Sequence, residues 1–204
     1  MGITINTQAF RYFCTVKEPI KLVILISGKG SNARNLVRYF KMHEQIQVLG
    51  IISSKQNPEL FSYCAENQLF YTEYTPWDEA PLIALLNTIG CNLIVLAGFL
   101  KKISPSFVAA YPNRIINIHP SLLPKYGGAG MYGRRVHEAV HEHQETQSGI
   151  TIHLVNEHYD EGKILEQHAC VLTSEDTAND IEAKVRALEL AFFPKAIESY
   201  CLSL

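Results

Sequence analysis

At 204 residues, 47% hydrophobic and 19% charged, the chain can bury one sizeable core and is too evenly mixed for the disordered or fibrous classes. A formal net charge of −2 leaves no basic footprint for nucleic acid. No apolar run approaches the roughly 20 residues that a bilayer requires. Neither a nucleic-acid partner nor a membrane is therefore expected. The cysteines, Cys14, Cys64, Cys91, Cys170 and Cys201, are scattered without metal-type spacing and read as reduced thiols of a cytoplasmic protein.

Residues 1–19 lack the apolar block and cleavage site of a signal peptide. Met1-Gly2 opens like a myristoylation site, but Asn6 stands where a serine or threonine is needed. This stretch is expected to be an N-terminal extension, with one domain over residues 20–204. Lys21 to Ser27 is a continuous apolar run, the pattern of a strand covered on both faces of a parallel sheet. It feeds into Gly28-Lys29-Gly30-Ser31-Asn32-Ala33, and an amphipathic helix follows with Leu36, Val37 and Phe40 on one side. Strand, glycine turn and helix N-terminus suit a phosphate, because unpaired amides and the helix dipole favour an anion. A plain turn needing glycines would look alike. The six residues also fit G-x-G-x-x-A of a dinucleotide fold, but that reading wants an acid closing the second strand. That strand, about Ile46 to Ile52, runs into Ser53-Ser54-Lys55, which disfavours NAD and weakens NADP.

A helix near Pro58 to Asn67, a strand around Phe70 to Thr72 and a helix from Asp78 to Thr88 come next, the last closed by Gly90. Cys91 to Ala97 reads as another buried strand ended by Gly98, and Ser104-Pro105 opens a helix with a cap and a proline at its first position. Ile115 to His119 is a short β-branched strand stopped by Pro120. Asn117 and His119, two apart, share a face at its C-terminal edge, where open α/β sheets place ligands. An amide donor beside an imidazole suits acyl transfer, one polarising a carbonyl and the other moving a proton, but a bare Asn-x-His is more often a strand end whose side chains satisfy neighbouring backbone. Ser121 to Arg134 is a loop with four glycines. The helix after it, about Arg135 to Gln144, contains His137-Glu138-Ala139-Val140-His141, a formal match to the zinc-peptidase H-E-x-x-H. Val136, Ala139 and Val140 make its apolar stripe, both histidines are expected to flank that stripe toward water, and no metal site is expected. Gly149 to Val155 and Ile164 to Val171 are strands joined by a polar turn, with His153 expected to be structural. A closing helix from Thr177 to about Tyr200 buries Ile181, Val185, Leu188 and Phe192. Strands alternating with helices specify an α/β domain, a mainly parallel twisted sheet with helices on both faces, Rossmann-like.

The run Asn117-Ile118-His119-Pro120-Ser121-Leu122-Leu123-Pro124 resembles the signature of the folate-dependent formyltransferases, above all the branch that formylates glycinamide ribonucleotide in purine synthesis. The resemblance spans about residues 21–200. It implies the formyltransferase fold, 10-formyltetrahydrofolate as cosubstrate rather than a tightly bound cofactor, and glycinamide ribonucleotide as acceptor, in a monomer or homodimer. It also implies that Asn117, His119 and Asp160 are catalytic, a charged His119 being held by Asp160. By the same resemblance Gly28, Lys29, Gly30, Ser31 and Asn32 hold the ribotide phosphate and Glu189 contacts the glycinamide portion; Arg186, three residues before it, is placed to reach a phosphate, and a surface salt bridge would explain it equally well. Phe99, Leu100, Lys101, Lys102, Ile103 and Tyr159 form the folate pocket. Lys29 departs from a usual Asn, and Glu161 replaces the first glycine of an Asp-Gly-Gly loop. The match is weakest over Tyr126 to Arg135, a segment expected to be mobile when empty and either to order as a lid over the formyl donor or to be no more than a floppy insertion.

Other members of the family fit less well. Formyltetrahydrofolate hydrolase calls for a further N-terminal domain that nineteen residues are not expected to supply. Methionyl-tRNA formyltransferase calls for a C-terminal RNA-binding domain. A non-catalytic NADP-binding module leaves the Asn-x-His-Pro run unexplained, and a zinc peptidase rests on the H-E-x-x-H string alone.

Overall fold

In the computed structural model, residues 18–74 and 77–204 are described; the expected extension falls almost wholly outside them. The described elements, in order, are β1 (Ile20–Ile26), α1 (Ser31–Phe40), β2 (Ile46–Ser53), α2 (Pro58–Glu66), β3 (Phe70–Glu73), α3 (Glu79–Thr88), β4 (Leu93–Leu96), α4 (Pro105–Ala110), β5 (Ile115–His119), α5 (Arg134–Glu142), β6 (Gln147–Leu154), β7 (Ile164–Val171) and α6 (Ala178–Leu202). Each matches an element expected from the sequence. Two strand starts move by two residues: β4 begins at Leu93 rather than Cys91, and β6 at Gln147 rather than Gly149. The Cys91 amide closes α3 by donating to the Leu86 carbonyl, and Asn92 bonds Lys21 twice, its amide donating to the Lys21 carbonyl and its side chain accepting from the Lys21 amide.

The sheet runs β3-β2-β1-β4-β5-β6-β7. Pairings from β3 through β5 are parallel, while β5/β6 and β6/β7 are antiparallel. From β1 the chain first builds outward through β2 and β3, then returns to lay β4 and β5 on the other side. That reversal opens a crevice outside the C-terminal ends of β1, β4 and β5, the place where such sheets bind ligands.

Both faces of β1 are covered, which is why its sequence is unbroken apolar rather than alternating. Leu22, Ile24 and Ile26 pack with α1, α5 and α6 residues such as Leu36, Val136 and Val185. Val23 and Leu25 pack with Leu86 of α3 and Phe107 of α4 on the opposite face. α6 is 25 residues long and starts with a capping box between Thr177 and Asp180. Its length matters for the site, because it presents Glu182, Arg186 and Glu189 on successive turns of one side. None of the described helices is long and apolar enough to cross a membrane.

Candidate active site

All the residues singled out as candidates line one cavity of about 560 Å³ at the crevice. α1 and α6 cover one face of the sheet and α4 the other, so two walls approach from opposite sides and meet over the end of β5.

The first wall is the β1–α1 turn with α6. Gly30, at φ 77°, serves as the N-cap of α1 without any side-chain cap, and no acidic residue lies in the first turn. The leading amides of α1 are thus left for an anion. Lys29 is exposed beside them. Asn32 donates from Nδ2 to Glu189 Oε2 at 2.8 Å. Burial pushes the Glu189 carboxyl above its ordinary value, opposed by that bond and by Arg186. The cavity does not reach the end of β2: none of Ser53, Ser54 or Lys55 lines it, so the place where a dinucleotide's ribose would be read is outside the site.

The second wall is the β4–α4 loop. Gly98 turns the chain at φ 72°, a conformation in which side chains other than glycine are strained. Leu100 donates its amide to Ser27 Oγ at 2.9 Å, and that hydroxyl lies 2.6 Å from Ser54 Oγ, tying the loop to β1. Phe99 packs on Trp77 with ring centroids 4.8 Å apart. Ser104 caps α4 and bonds Glu79. Lys102 sits over the Tyr159 ring at 5.5 Å, so the second lysine of the pair is anchored at the cavity mouth rather than simply solvated.

Between the walls lies the polar centre. β5 and β6 pair so that Asn117 is directly opposite His153, with Asn117 Nδ2 3.0 Å from His153 Nε2. His153 Nδ1 lies 2.9 Å from the Leu154 carbonyl, and its Nε2 also lies 3.6 Å from Asp160 Oδ1; a neutral ring with its hydrogen on Nδ1 accepts from Asn117 at Nε2, whereas a protonated ring presents Nε2–H to Asp160. His119 is 4% exposed. Its Nε2 donates to the Tyr126 carbonyl at 2.7 Å and its Nδ1 is 3.5 Å from Asp160 Oδ2. Burial nevertheless holds the His119 imidazole below its ordinary value, outweighing Asp160 and the Tyr126 carbonyl, which favour the charged form. A charged resting His119, expected from the resemblance, is therefore not what the free site favours: desolvation outweighs the carboxylate.

Asp160 itself takes a positive φ of 57°, a region aspartate tolerates better than most residues. The Gly128 amide donates to its Oδ2 at 2.8 Å. Burial opposes ionisation of Asp160, but His153, His119 and the Gly128 amide together hold its carboxyl below the usual range. Glu161, the departure from the Asp-Gly-Gly pattern, is exposed. Gly162 is the obligatory glycine, because a Cβ there would fall 1.7 Å from the Leu154 carbonyl oxygen.

Two features differ from the sequence reading. His137 is buried, 4% exposed, and lines the cavity, whereas His141 is exposed. The flank of α5 expected to face water is covered by the cavity side of α6, and burial lowers the His137 imidazole's proton affinity, opposed by Glu182. His153, expected to be structural, belongs to the polar centre. Its partner Asn117 lies 36 positions away and only strand pairing brings the two together. No cluster of His, Cys, Asp and Glu that could hold a metal ion is found among the described residues.

The family model described as formyl transferase matches residues 20–197. The chloroplastic phosphoribosylglycinamide formyltransferase of Arabidopsis thaliana is 34% identical over 196 residues, covering 89% of this chain and 65% of that protein. The chain therefore spans just under two thirds of that plant relative. The phosphoribosylglycinamide formyltransferase of Haemophilus influenzae is 30% identical over 187 residues, covering 87% of this chain and 85% of that one. Among solved structures, phosphoribosylglycinamide formyltransferase from Anaplasma phagocytophilum superposes with a TM-score of 0.81 at 28% identity, covering 90% of this chain and 87% of that chain. With a family match running from β1 into α6 and the same sheet in solved relatives, the chain belongs to the formyl transferase family.

Proposed function

We propose that the protein transfers the formyl group of 10-formyltetrahydrofolate to the amine of glycinamide ribonucleotide, giving N-formylglycinamide ribonucleotide for de novo purine synthesis. One observation carries the reading: an amide, an imidazole and a carboxylate converge at the end of β5 between an uncapped helix N-terminus and an apolar loop with two lysines. The ribotide phosphate sits on the α1 amides with Lys29 and Arg186 as nearby cations, Glu189 contacts the glycinamide portion, and the folate enters along Phe99 to Ile103 and Tyr159. Relatives that bear the name phosphoribosylglycinamide formyltransferase support this choice of substrates.

The amine lone pair attacks the formyl carbon, and the carbonyl electrons move onto the formyl oxygen. Asn117 has one amide hydrogen committed to His153 and a second for that oxygen. Collapse of the adduct expels the folate nitrogen, which gains a proton as the attacking amine loses one. His119 suits that proton movement. Both of its nitrogens face acceptors, so negative charge growing in the site tips the balance that burial sets against the imidazolium. The reading extends to a reducing, cytoplasmic setting, which the free Cys64, Cys91, Cys170 and Cys201 suit. The test is direct: purified protein with both substrates yields the formylated ribotide. Release of formate without transfer would discard the assignment.

A further inference from the structure

Three buried side-chain polar atoms among the described residues have no hydrogen-bond partner: Asn32 Oδ1, His137 Nδ1 and Ser148 Oγ. Asn32 and His137 line the substrate cavity. Ser148 does not. It lines a second cavity, of about 220 Å³, with Leu122, Lys125, Tyr126, Val140 and Glu145. The two cavities share no lining residue. On the same face of β6 as Ser148, Ile150 and Ile152 belong to the core beneath α5 and α6. An unpaired hydroxyl there, 3% exposed, is out of place in a purely structural wall, because buried polar groups are nearly always paired.

The cavity is large enough for more than a bridging water. A water molecule takes about 30 Å³ and a benzene-sized guest fits roughly 150 Å³, so this space admits a small organic molecule. Leu122 and Val140 give it apolar surface. Lys125 Nζ and the Tyr126 hydroxyl both donate to Glu145 Oε1, at 2.8 and 2.9 Å. These bonds hold the Glu145 carboxyl below its ordinary value, so it is ionised near neutral pH with its charge balanced by Lys125. Both use Oε1, which leaves Oε2 to accept from an occupant. The wall thus offers a hydroxyl that can donate and a carboxylate oxygen that accepts, at no net charge. A primary amide complements both: its carbonyl accepts from Ser148 and its N–H donates to Glu145. A carboxylate would meet Glu145 and an ammonium would meet Lys125, each a like-charge contact.

The wall is also tied to the reaction centre. Tyr126 gives its hydroxyl to Glu145 and its carbonyl to His119, whose Nε2 donates to it at 2.7 Å. Ser121 Oγ donates to the Lys125 carbonyl at 2.6 Å, so residues 121–126 form one braced turn. An occupant that engages Glu145 shares that carboxylate with Tyr126, and so acts on the residue that holds the His119 ring.

We propose that this second cavity binds a small uncharged molecule with a primary amide head and a compact apolar body, and that its occupancy is felt at His119 through Tyr126. Isobutyramide is the probe. Added to the full chain without substrates, it should shift the amide resonances of Ser148, Val140 and Tyr126 saturably, with a Kd of about 1–10 mM. N,N-dimethylisobutyramide, which has no N–H for Glu145, should bind about 10-fold more weakly. Ser148→Val fills the cavity and removes the hydroxyl, so it should abolish the shifts with kcat and both KM values unchanged. Ser148→Ala, a smaller change should the valine not fold, should weaken isobutyramide about 5-fold without lowering the melting temperature, because it deletes an unpaired group. At saturation the His119 ring resonances should move too. No saturable shift up to about 100 mM, or equal affinity of the two amides or of wild type and the Ser148 variants, overturns the site. Saturable binding with the His119 resonances unmoved overturns the coupling. The titration uses no substrate, so a failed transferase assay leaves its result standing.

Discussion

Asn117→Ala tests the reaction centre most sharply. The Asn117 amide is divided between two tasks. With the His153 ring neutral, one hydrogen goes to its Nε2 at 3.0 Å, an orientation fixed because Nδ1 is engaged by the Leu154 carbonyl at 2.9 Å. The other faces the cavity. Removing a preorganised oxyanion donor raises the barrier by about 2.7–4 kcal/mol, which is about 100- to 1,000-fold in kcat. The same change strands His153 Nε2 in a residue only 2% exposed, lowering fold stability by about 1 kcal/mol. The two effects separate experimentally. Single-turnover formyl transfer at saturating concentrations of both substrates reads the chemical step, and thermal unfolding reads the stability. Asn117→Asp sharpens the comparison: it has nearly the same shape, donates nothing when ionised, and should transfer no faster than the alanine variant. His153→Phe keeps the donor but releases its orientation, so it should lose less than Asn117→Ala. A kcat for Asn117→Ala within about 10-fold of wild type, or a loss confined to KM, would show that Asn117 does not bind the developing charge.

The glycine turn separates binding from folding. An added Cβ at Gly28 meets nothing within 4 Å, whereas at Gly30 it would approach Leu60 Cδ2 to 3.1 Å with φ +77°. Gly28→Ala should raise KM for the ribotide about 10-fold with an unchanged melting temperature, and Gly30→Ala should destabilise by about 1–2 kcal/mol; the opposite pattern would remove the turn from phosphate binding. Asp160→Asn deletes a carboxylate that favours charged His119, so the NMR titration midpoint of His119 should fall further, and an unmoved midpoint would sever the coupling. In the unfolded chain His119 and His137 take up protons near pH 6.5, while in the fold both resist. Stability should therefore fall as pH drops through that value, with Glu189, raised above 4.5, pulling weakly the other way. Urea midpoints that stay flat between about pH 8 and pH 5.5 would contradict the burial of these imidazoles. Amide exchange over residues 126–135 should slow when both substrates bind, and exchange that stays fast in the ternary complex would reject closure of that segment.

Legibility followed the range of the forces involved. β1 could be read because burial on both faces leaves only apolar residues, and β5 because Pro120 stops its ladder one residue after His119. Cap chemistry is equally local: Asp78, Ser104 and Thr177 each sit where their helices begin. What stayed hidden depends on partners distant in the chain. Helical periodicity identifies the apolar stripe of α5 but not what covers its flank, so it predicts a water-facing His137 although α6, some 40 positions later, closes over it. His153 gives no local sign of its role either. Every inward position of β6 is buried, and an imidazole there acquires meaning only when antiparallel pairing sets it opposite Asn117. The same dependence explains the protonation of His119. A nearby aspartate argues for the charged ring, and desolvation, which belongs to the assembled cavity rather than to any neighbour in sequence, argues more strongly against it. A site of this kind is therefore half written in motifs and half in the surfaces that fold over them, and the second half is where His137 and His153 lie.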